Sequence, residues 1–315
     1  MAATSGSQIN LTLHNRPISD VQFNYDNDLL FVASLDSIVS VWEKTGKLKG
    51  TFEGHSGAIN CMDQVDDLLL TGGSDRTAIL WDVLTGKQKI KFEFGSTVKA
   101  VNIAGNLLFI CCDDSFNNKP CFSVYDLITG GAVYETKLDY IVSASVTCEK
   151  YYIFGDTEGY VRKFDMKTHT EIQKSKLHHS KINEIKKSPC GKYFISSSND
   201  ATSKIFDNNL KEIKSFQATE PINSSAVFPE NNILVNVGGI SARDVTLTKG
   251  KRKFDVNFFD VIKEEKVGFY STHFGTINTI DVSRDGKSFV SGGEDGIVVI
   301  VEMGDDFQTS YFTSV

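Results

Sequence analysis

Proline is scarce, five residues in 315, while hydrophobic residues make up 40% and charged residues 23%. That balance excludes a disordered chain and leaves ample apolar material for a large core. Basic residues are outnumbered, 33 Lys and Arg against 40 Asp and Glu, giving a formal charge of -7. The overall field therefore disfavours direct DNA binding, general RNA binding and adhesion to an anionic membrane. No basic segment followed by an apolar core opens the sequence at Met1, and no apolar run reaches membrane-spanning length. These absences point to a soluble, cytoplasmic protein. Among six cysteines there is no Cys-x-x-Cys, and all lie in or beside apolar runs, including the adjacent Cys111 and Cys112. They are expected to be mostly small buried hydrophobes, not a disulfide framework. The acceptor-like triplets at Asn10 and Asn223 are expected to be bare without an export signal. Sustained helical periodicity is missing throughout, which excludes a helical bundle.

What the sequence does contain is a repeat. Gly54-His55 opens a unit that continues through the apolar Ile59 to Met62, then Leu68-Leu69-Leu70-Thr71, Asp75 and Ala78-Ile79-Leu80-Trp81-Asp82. This is the glycine-histidine to tryptophan-aspartate grammar of WD repeats. Aligning the chain on the Trp81 position gives Trp42, Trp81, Tyr125, Phe164, Phe206, Phe259 and Val301, spaced by 39, 44, 39, 42, 53 and 42 residues. Each interval suits a four-stranded blade except 53, which marks an insertion. Four of the six histidines, His14, His55, His178 and His273, occupy the opening position, and the dipeptide Ile-Asn recurs at 59, 182, 222 and 277. A turn recurs as Thr45-Gly46-Lys47, Thr85-Gly86-Lys87 and Thr129-Gly130-Gly131.

The expected fold is all-β, a seven-bladed WD-repeat propeller whose ring is closed by the N-terminal strand. An open array would leave two unpaired strand edges. The last unit supplies three strands, near Ile277 to Val282, Phe289 to Gly292 and Ile297 to Val301, so Ile9 to Leu13 is expected to add the outer fourth. The expected organisation is a polar leader over 1-8, one propeller over 9-303 and a tail over 304-315.

Serine, histidine and aspartate near one another invite a hydrolase reading. Here, however, the constellation repeats: His14, Asp36 and Trp42; His55, Thr71, Asp75 and Trp81; His178, Ser196 and Asp200; His273, Ser291 and Asp295. A catalytic site needs one such group, whereas a structural network that satisfies buried polar atoms at each blade's rim recurs naturally. On this reading the network is complete only in the second unit: Val32 replaces the hydroxyl residue in the first, and Phe206 and Val301 cannot donate in the fifth and seventh. Units three, four and six lack the histidine, with Glu158 standing in for the aspartate in the fourth. No Gly-x-Ser-x-Gly elbow is present. Gly286-Lys287-Ser288 resembles a phosphate-loop ending, but Asp281 stands where that loop needs glycine, so a hairpin turn is expected. His178-His179 lacks suitably spaced partners for a metal, and His169 reads as a solvated turn residue. No catalytic residue, cofactor or metal is expected.

The insertion runs from Val237 to Phe254, between the second and third strands of the sixth unit, and loops of such length are commonly functional. Gly238-Gly239, Asp244-Val245-Thr246, Gly250 and Lys253-Phe254 resemble the signature of subunit I of eukaryotic translation initiation factor 3. His273-Phe274-Gly275-Thr276-Ile277-Asn278, Ser291-Gly292-Gly293-Glu294-Asp295-Gly296, Lys192 to Ser196 and Pro221 to Ser224 agree with it. The sequence departs from that pattern at Ser241-Ala242-Arg243, at Lys251-Arg252-Lys253 and after Met303.

The resemblance implies a non-catalytic scaffold with initiation factor 3 subunits B and G as partners, reaching the small ribosomal subunit through the complex. It implies a contact with the former of these two on the side of blades five and six, around Asp207, Lys211, Glu212 and Glu220. Asp244 lies in the family signature, while Lys249, Lys251, Arg252 and Lys253 form a basic tip suited to an acidic partner or ribosomal RNA. The rival readings are a WD adaptor of a signalling or ubiquitin-ligase complex, and a propeller enzyme with polar groups converging in its channel.

Overall fold

The computed structural model describes residues 7-229, 231-240 and 254-304. Within them the chain forms seven four-stranded antiparallel sheets. In six the strands follow chain order, here named a to d from the inside outward; blade 2, for example, is Ile59–Val65, Leu68–Gly73, Thr77–Asp82 and Lys87–Glu93. The seventh is discontinuous: Gln8–Leu11 pairs with Val298–Glu302, from Gln8 opposite Val301 to Leu11 opposite Val298. The ring is therefore closed by the N-terminal strand. No helix among the described residues is long and apolar enough to cross a membrane.

The register carries the repeat. Trp42, Trp81, Tyr125, Phe164, Phe206, Phe259 and Val301 each face the second residue of their own b strand, from Leu30 and Leu69 through to Leu234 and Phe289. Because the two faces of strands b and c both pack on neighbouring blades, these strands read as continuous apolar runs instead of alternating ones. Seven buried clusters follow, one at each blade junction; Phe31, Val39 and Val41 of blade 1, for instance, pack on Ile59, Met62, Leu69 and Trp81 of blade 2. The junction that closes the ring joins Leu11, Val290, Val298 and Ile300 to Ile18, Leu30 and Trp42.

Hairpins between strands c and d use one recurring turn. Asp82 Oδ1 accepts from the backbone N–H and hydroxyl of Thr85, both at 2.8 Å, and Gly86 follows at φ 68°. Asp126, Thr129 and Gly130 repeat the arrangement. Gly286 sits in a hairpin as expected, its N–H bonded to Ser283 O at 2.9 Å.

Three expectations need correction. His169 is not solvated: it takes the glycine-like place in the fourth blade's turn at φ 57°, is only 7% exposed, and stacks on Tyr134 at 5.0 Å. The aromatic wall between blades 3 and 4 covers it. Glu158 does not act for the missing aspartate; Asp156, fully buried, accepts the N–H groups of Glu158 and Tyr160 and pairs with Arg162 at 3.0 Å. The cysteines divide: Cys111, Cys112 and Cys121 are buried and Cys61 and Cys148 half-buried, but Cys190 is exposed on a turn between Pro189 and Gly191.

Candidate functional site

Four rims carry a histidine network. In blade 2, His55 Nδ1 donates to Asp75 at 2.9 Å, its Nε2 accepts from the Thr71 hydroxyl at 2.8 Å, and Trp81 Nε1–H donates to Thr71 Oγ1 at 2.9 Å. In blade 5, His178 reaches Asp200 at 3.0 Å and Ser196 at 2.7 Å; in blade 7, His273 reaches Asp295 at 3.1 Å and Ser291 at 2.9 Å. The first blade departs from expectation. Ser40, directly across the b–c hairpin from Val32, brings its hydroxyl to the place where Val32 has none. His14 bridges Asp36 at 2.9 Å and Ser40 at 2.7 Å, and Trp42 Nε1–H donates to Ser40 at 2.7 Å. Two blades therefore hold the full four-membered network.

The chemistry of these groups is that of satisfied structure. Thr71, Ser40, Ser196 and Ser291 are fully buried, so none of these hydroxyls meets a substrate. Burial lowers the pKa of His55 and of His178 against the pull of their aspartates, keeping the neutral imidazole that the bridging arrangement needs. For Asp200, burial opposes ionisation, but the Thr202 hydroxyl, the His179 backbone N–H and His178 together hold the carboxyl down at about 2. Asp75 and Asp295 are also lowered despite burial, by the Ser56 N–H and His55 in one case and by His273 in the other. Each aspartate also caps its own turn, as Asp75 does for Thr77 and Asp295 for Ile297.

The central channel is a polar cavity of about 940 Å³. Its polar residues bind blade to blade. Every a strand has a bulge one residue after its start, and in five blades the bulged side chain donates to the first carbonyl of the next a strand. The bonds are Asn60 to Val98 O (3.0 Å), Ser143 to Ile182 O (2.6 Å), Asn183 to Ile222 O (2.8 Å), Asn223 to Ile277 O (3.0 Å) and Asn278 to Ile18 O (2.9 Å). The last spans the seam where the first and seventh blades meet. Deeper in the channel, Asp63 accepts from Ile103 N–H at 2.7 Å, Asp281 from Phe23 N–H at 2.9 Å and Gln22 from Gln64 N–H at 3.0 Å. The recurring Ile-Asn dipeptide is the sequence trace of this belt. Blade 1 has Ser19 at the bulge, its hydroxyl buried without a partner among the described residues, and blade 3 has Lys99, which pairs with Asp113 at 3.6 Å. Among the described residues, no group of three or more His, Cys, Asp or Glu side chains could hold a metal ion.

The expected partner surface is only partly in view. Asp207 accepts the N–H groups of Asn209 and Lys211 in the c–d turn of blade 5, Glu212 pairs with Lys204 at 2.7 Å, and Lys211 is exposed. Glu220 is half-buried at the rim before blade 6. Lys214 ties blade 5 to blade 6 through Ile262 O (3.2 Å) and Glu264 (2.8 Å), leaving Ile213 and Ile262 exposed at 53% and 69%. Asp244, Lys249, Lys251, Arg252 and Lys253 lie outside the described residues.

With this geometry in place, the EIF3I family profile matches residues 7–313. The chain belongs to the EIF3I family. Eukaryotic translation initiation factor 3 subunit I of Danio rerio is 35% identical over 307 residues, covering 91% of this chain and 93% of its own length. The protein of the same name from Schizosaccharomyces pombe is 34% identical, covering 90% and 93% respectively, and that from Saccharomyces cerevisiae strain S288c is 33% identical, covering 96% and 93%. The likeness to these EIF3I proteins thus spans every blade.

Proposed function

We propose that this chain serves as a non-catalytic WD-repeat scaffold in eukaryotic translation initiation factor 3, holding other subunits of the complex in the cytoplasm. The observation that carries the reading is the end-to-end EIF3I match laid over a closed propeller whose repeated polar constellations are fully engaged in internal bonds. Subunits B and G are the proposed neighbours, and the small ribosomal subunit is reached through the complex. The side of blades 5 and 6 is the proposed contact for the former of the two. Exposed Ile213 and Ile262, flanked by Lys211 and Glu212, offer apolar anchors with a charged rim there.

Affinity purification of the tagged chain tests the reading. Recovery of initiation-factor subunits, together with co-migration on small ribosomal subunits, is the expected outcome; recovery of ubiquitin-ligase or signalling components in their place would overturn it. Ile213→Asp with Ile262→Asp should lower recovery of the neighbour assigned to blades 5 and 6 while leaving the melt intact. For the basic tip, replacing Lys249, Lys251, Arg252 and Lys253 by serine should weaken association in a salt-dependent way. Unchanged affinity and salt dependence would reduce the tip to a solvated turn.

A further inference from the structure

We propose that Cys112 and Cys121 are a paired modification site, closed into a disulfide by a peroxide and reopened by a thiol reductant. The two residues are direct cross-strand partners in the b–c ladder of blade 3. Partners in an antiparallel ladder have Cα atoms about 4.5–5.5 Å apart, inside the roughly 4.4–6.8 Å range that disulfides occupy. Their side chains share one buried cluster, between blades 2 and 3, whereas Cys111 points the other way into the cluster between blades 3 and 4. The alternation of the strand thus selects Cys112 over its neighbour. Both thiols are free, and they lie in the same buried cluster.

The pair is asymmetric. Cys112 is fully buried, while Cys121 is 9% exposed, at the start of strand c just after Pro120. Cys121 also faces Lys137 on strand d. Neighbouring Cys112 first, and then the Lys137 charge, lower the pKa of the Cys121 thiol against the opposing effect of burial, the direction that favours a nucleophilic thiolate. Cys112, beside Cys121 and fully buried, is pushed up.

Cys121 thiolate attacks hydrogen peroxide, the O–O bond breaks, and Cys121 becomes a sulfenic acid as hydroxide leaves and is protonated to water. Cys112 sulfur then displaces the sulfenic hydroxyl, forming the S–S bond and releasing a second water. Two thiols are oxidised by two electrons and one peroxide is reduced. The disulfide closes the base of the 113-120 loop, where Arg76 lies 5.1 Å from the ring of exposed Phe116 and Asn118 donates to Gly95 O at 2.8 Å.

The test uses the full chain, fully reduced, treated with graded hydrogen peroxide and quenched. Expected are the loss of two hydrogens in mass and the disappearance of two of the six thiols. Peptide mapping should place the bond between residues 112 and 121, and dithiothreitol should reverse it. Cys112→Ala should instead accumulate a Cys121 sulfenic acid that a dimedone reagent traps, and Cys111→Ala should leave the bond forming as before. Oxidation of exposed Cys190 while both residues stay reduced, or a bond mapped to any other pair, would overturn the assignment. Mapping on the unsubstituted chain decides the matter even where a variant fails to fold.

Discussion

Single polar side chains in this ring act where the sheet cannot. In blades 1 and 2 the indole N–H completes a chain of bonds from Asp36 or Asp75 through histidine and hydroxyl, so Trp42→Phe and Trp81→Phe should have similar costs. Each leaves a buried hydroxyl short of a donor, for which about 1–3 kcal/mol is typical. Chemical denaturation of the two variants measures this, and a Trp42→Phe midpoint unchanged beside a lowered Trp81→Phe midpoint would show that Ser40 contributes nothing. Asp75→Ala should be at least as harmful as Trp81→Phe, because it strands His55 and uncaps the Ser56 and Thr77 N–H groups. Ser19 offers the opposite experiment. It stands at the bulge where four other blades have asparagine, its hydroxyl is buried and unpartnered among the described residues, and the carbonyl of Ile59 is the equivalent target in blade 2. Ser19→Asn should therefore add the missing bond and raise the melting temperature, consistent with about 0.5–1.5 kcal/mol for a new hydrogen bond. A melt equal to or below that of the parent would refute that extension of the belt.

At the scale of strands and turns, the short segment Gln8–Leu11 has an effect out of proportion to its length. It covers Val298-Val299-Ile300-Val301, four buried apolar residues that would otherwise form a bare sheet edge. Deleting residues 1-13 should also strip Leu11 from the cluster that holds Trp42 and Ile18, giving aggregation and loss of soluble monomer on size exclusion. Deleting only residues 1-6 should leave the elution unchanged, and a stable monomer from the longer truncation would refute the clasp. This element is legible in the sequence because a unit with three strands needs a fourth and only one apolar segment is unassigned. The blade register is legible for a similar reason, since six of the seven marker positions are aromatic and both tryptophans fall there. What sequence does not reveal is chemistry between strands. Ser40 replaces the hydroxyl missing at Val32 from across a hairpin, so a search at one aligned position passes it by. Ile-Asn is visible as a repeat, but its acceptor lies a whole blade away and appears only once blades are neighbours. His169 reads as an exposed turn residue because the turn is polar; the aromatic wall that buries it comes from Tyr134 on another blade.

The whole ring concentrates charge at its axis, which makes its stability depend on pH. Asp20, Glu184 and Asp281 share the channel wall with Lys186, which pairs with Glu184 at 3.2 Å and donates to Ile280 O. Burial, then Glu184, raise the Asp20 pKa to about 7 even with Lys186 beside it, and burial raises Asp63 to about 6. A carboxyl whose folded value lies above its unfolded one binds more protons in the native state between the two. Its contribution is therefore fully present below about 4 and is lost as pH rises, through about 6 for Asp63 and about 7 for Asp20. Asp75, Asp200 and Asp295 have the reverse sign, because lowered carboxyls contribute above about 4 and lose that contribution as pH falls towards the folded values. His55 and His178, also lowered, favour the fold above about 6.5 and lose that contribution as pH falls from there, partly masking the channel's effect in the parent chain. Comparison with a variant removes the mask. Asp20→Asn keeps an oxygen to accept the Met62 N–H but no longer ionises. Its melting temperature relative to the parent should rise steadily from pH 5 to pH 8, with the variant gaining most where the parent must bury the Asp20 charge. A difference between the two melts that stays flat across that range would mean that Asp20 titrates as an ordinary carboxyl and that the channel imposes no charge penalty on the ring.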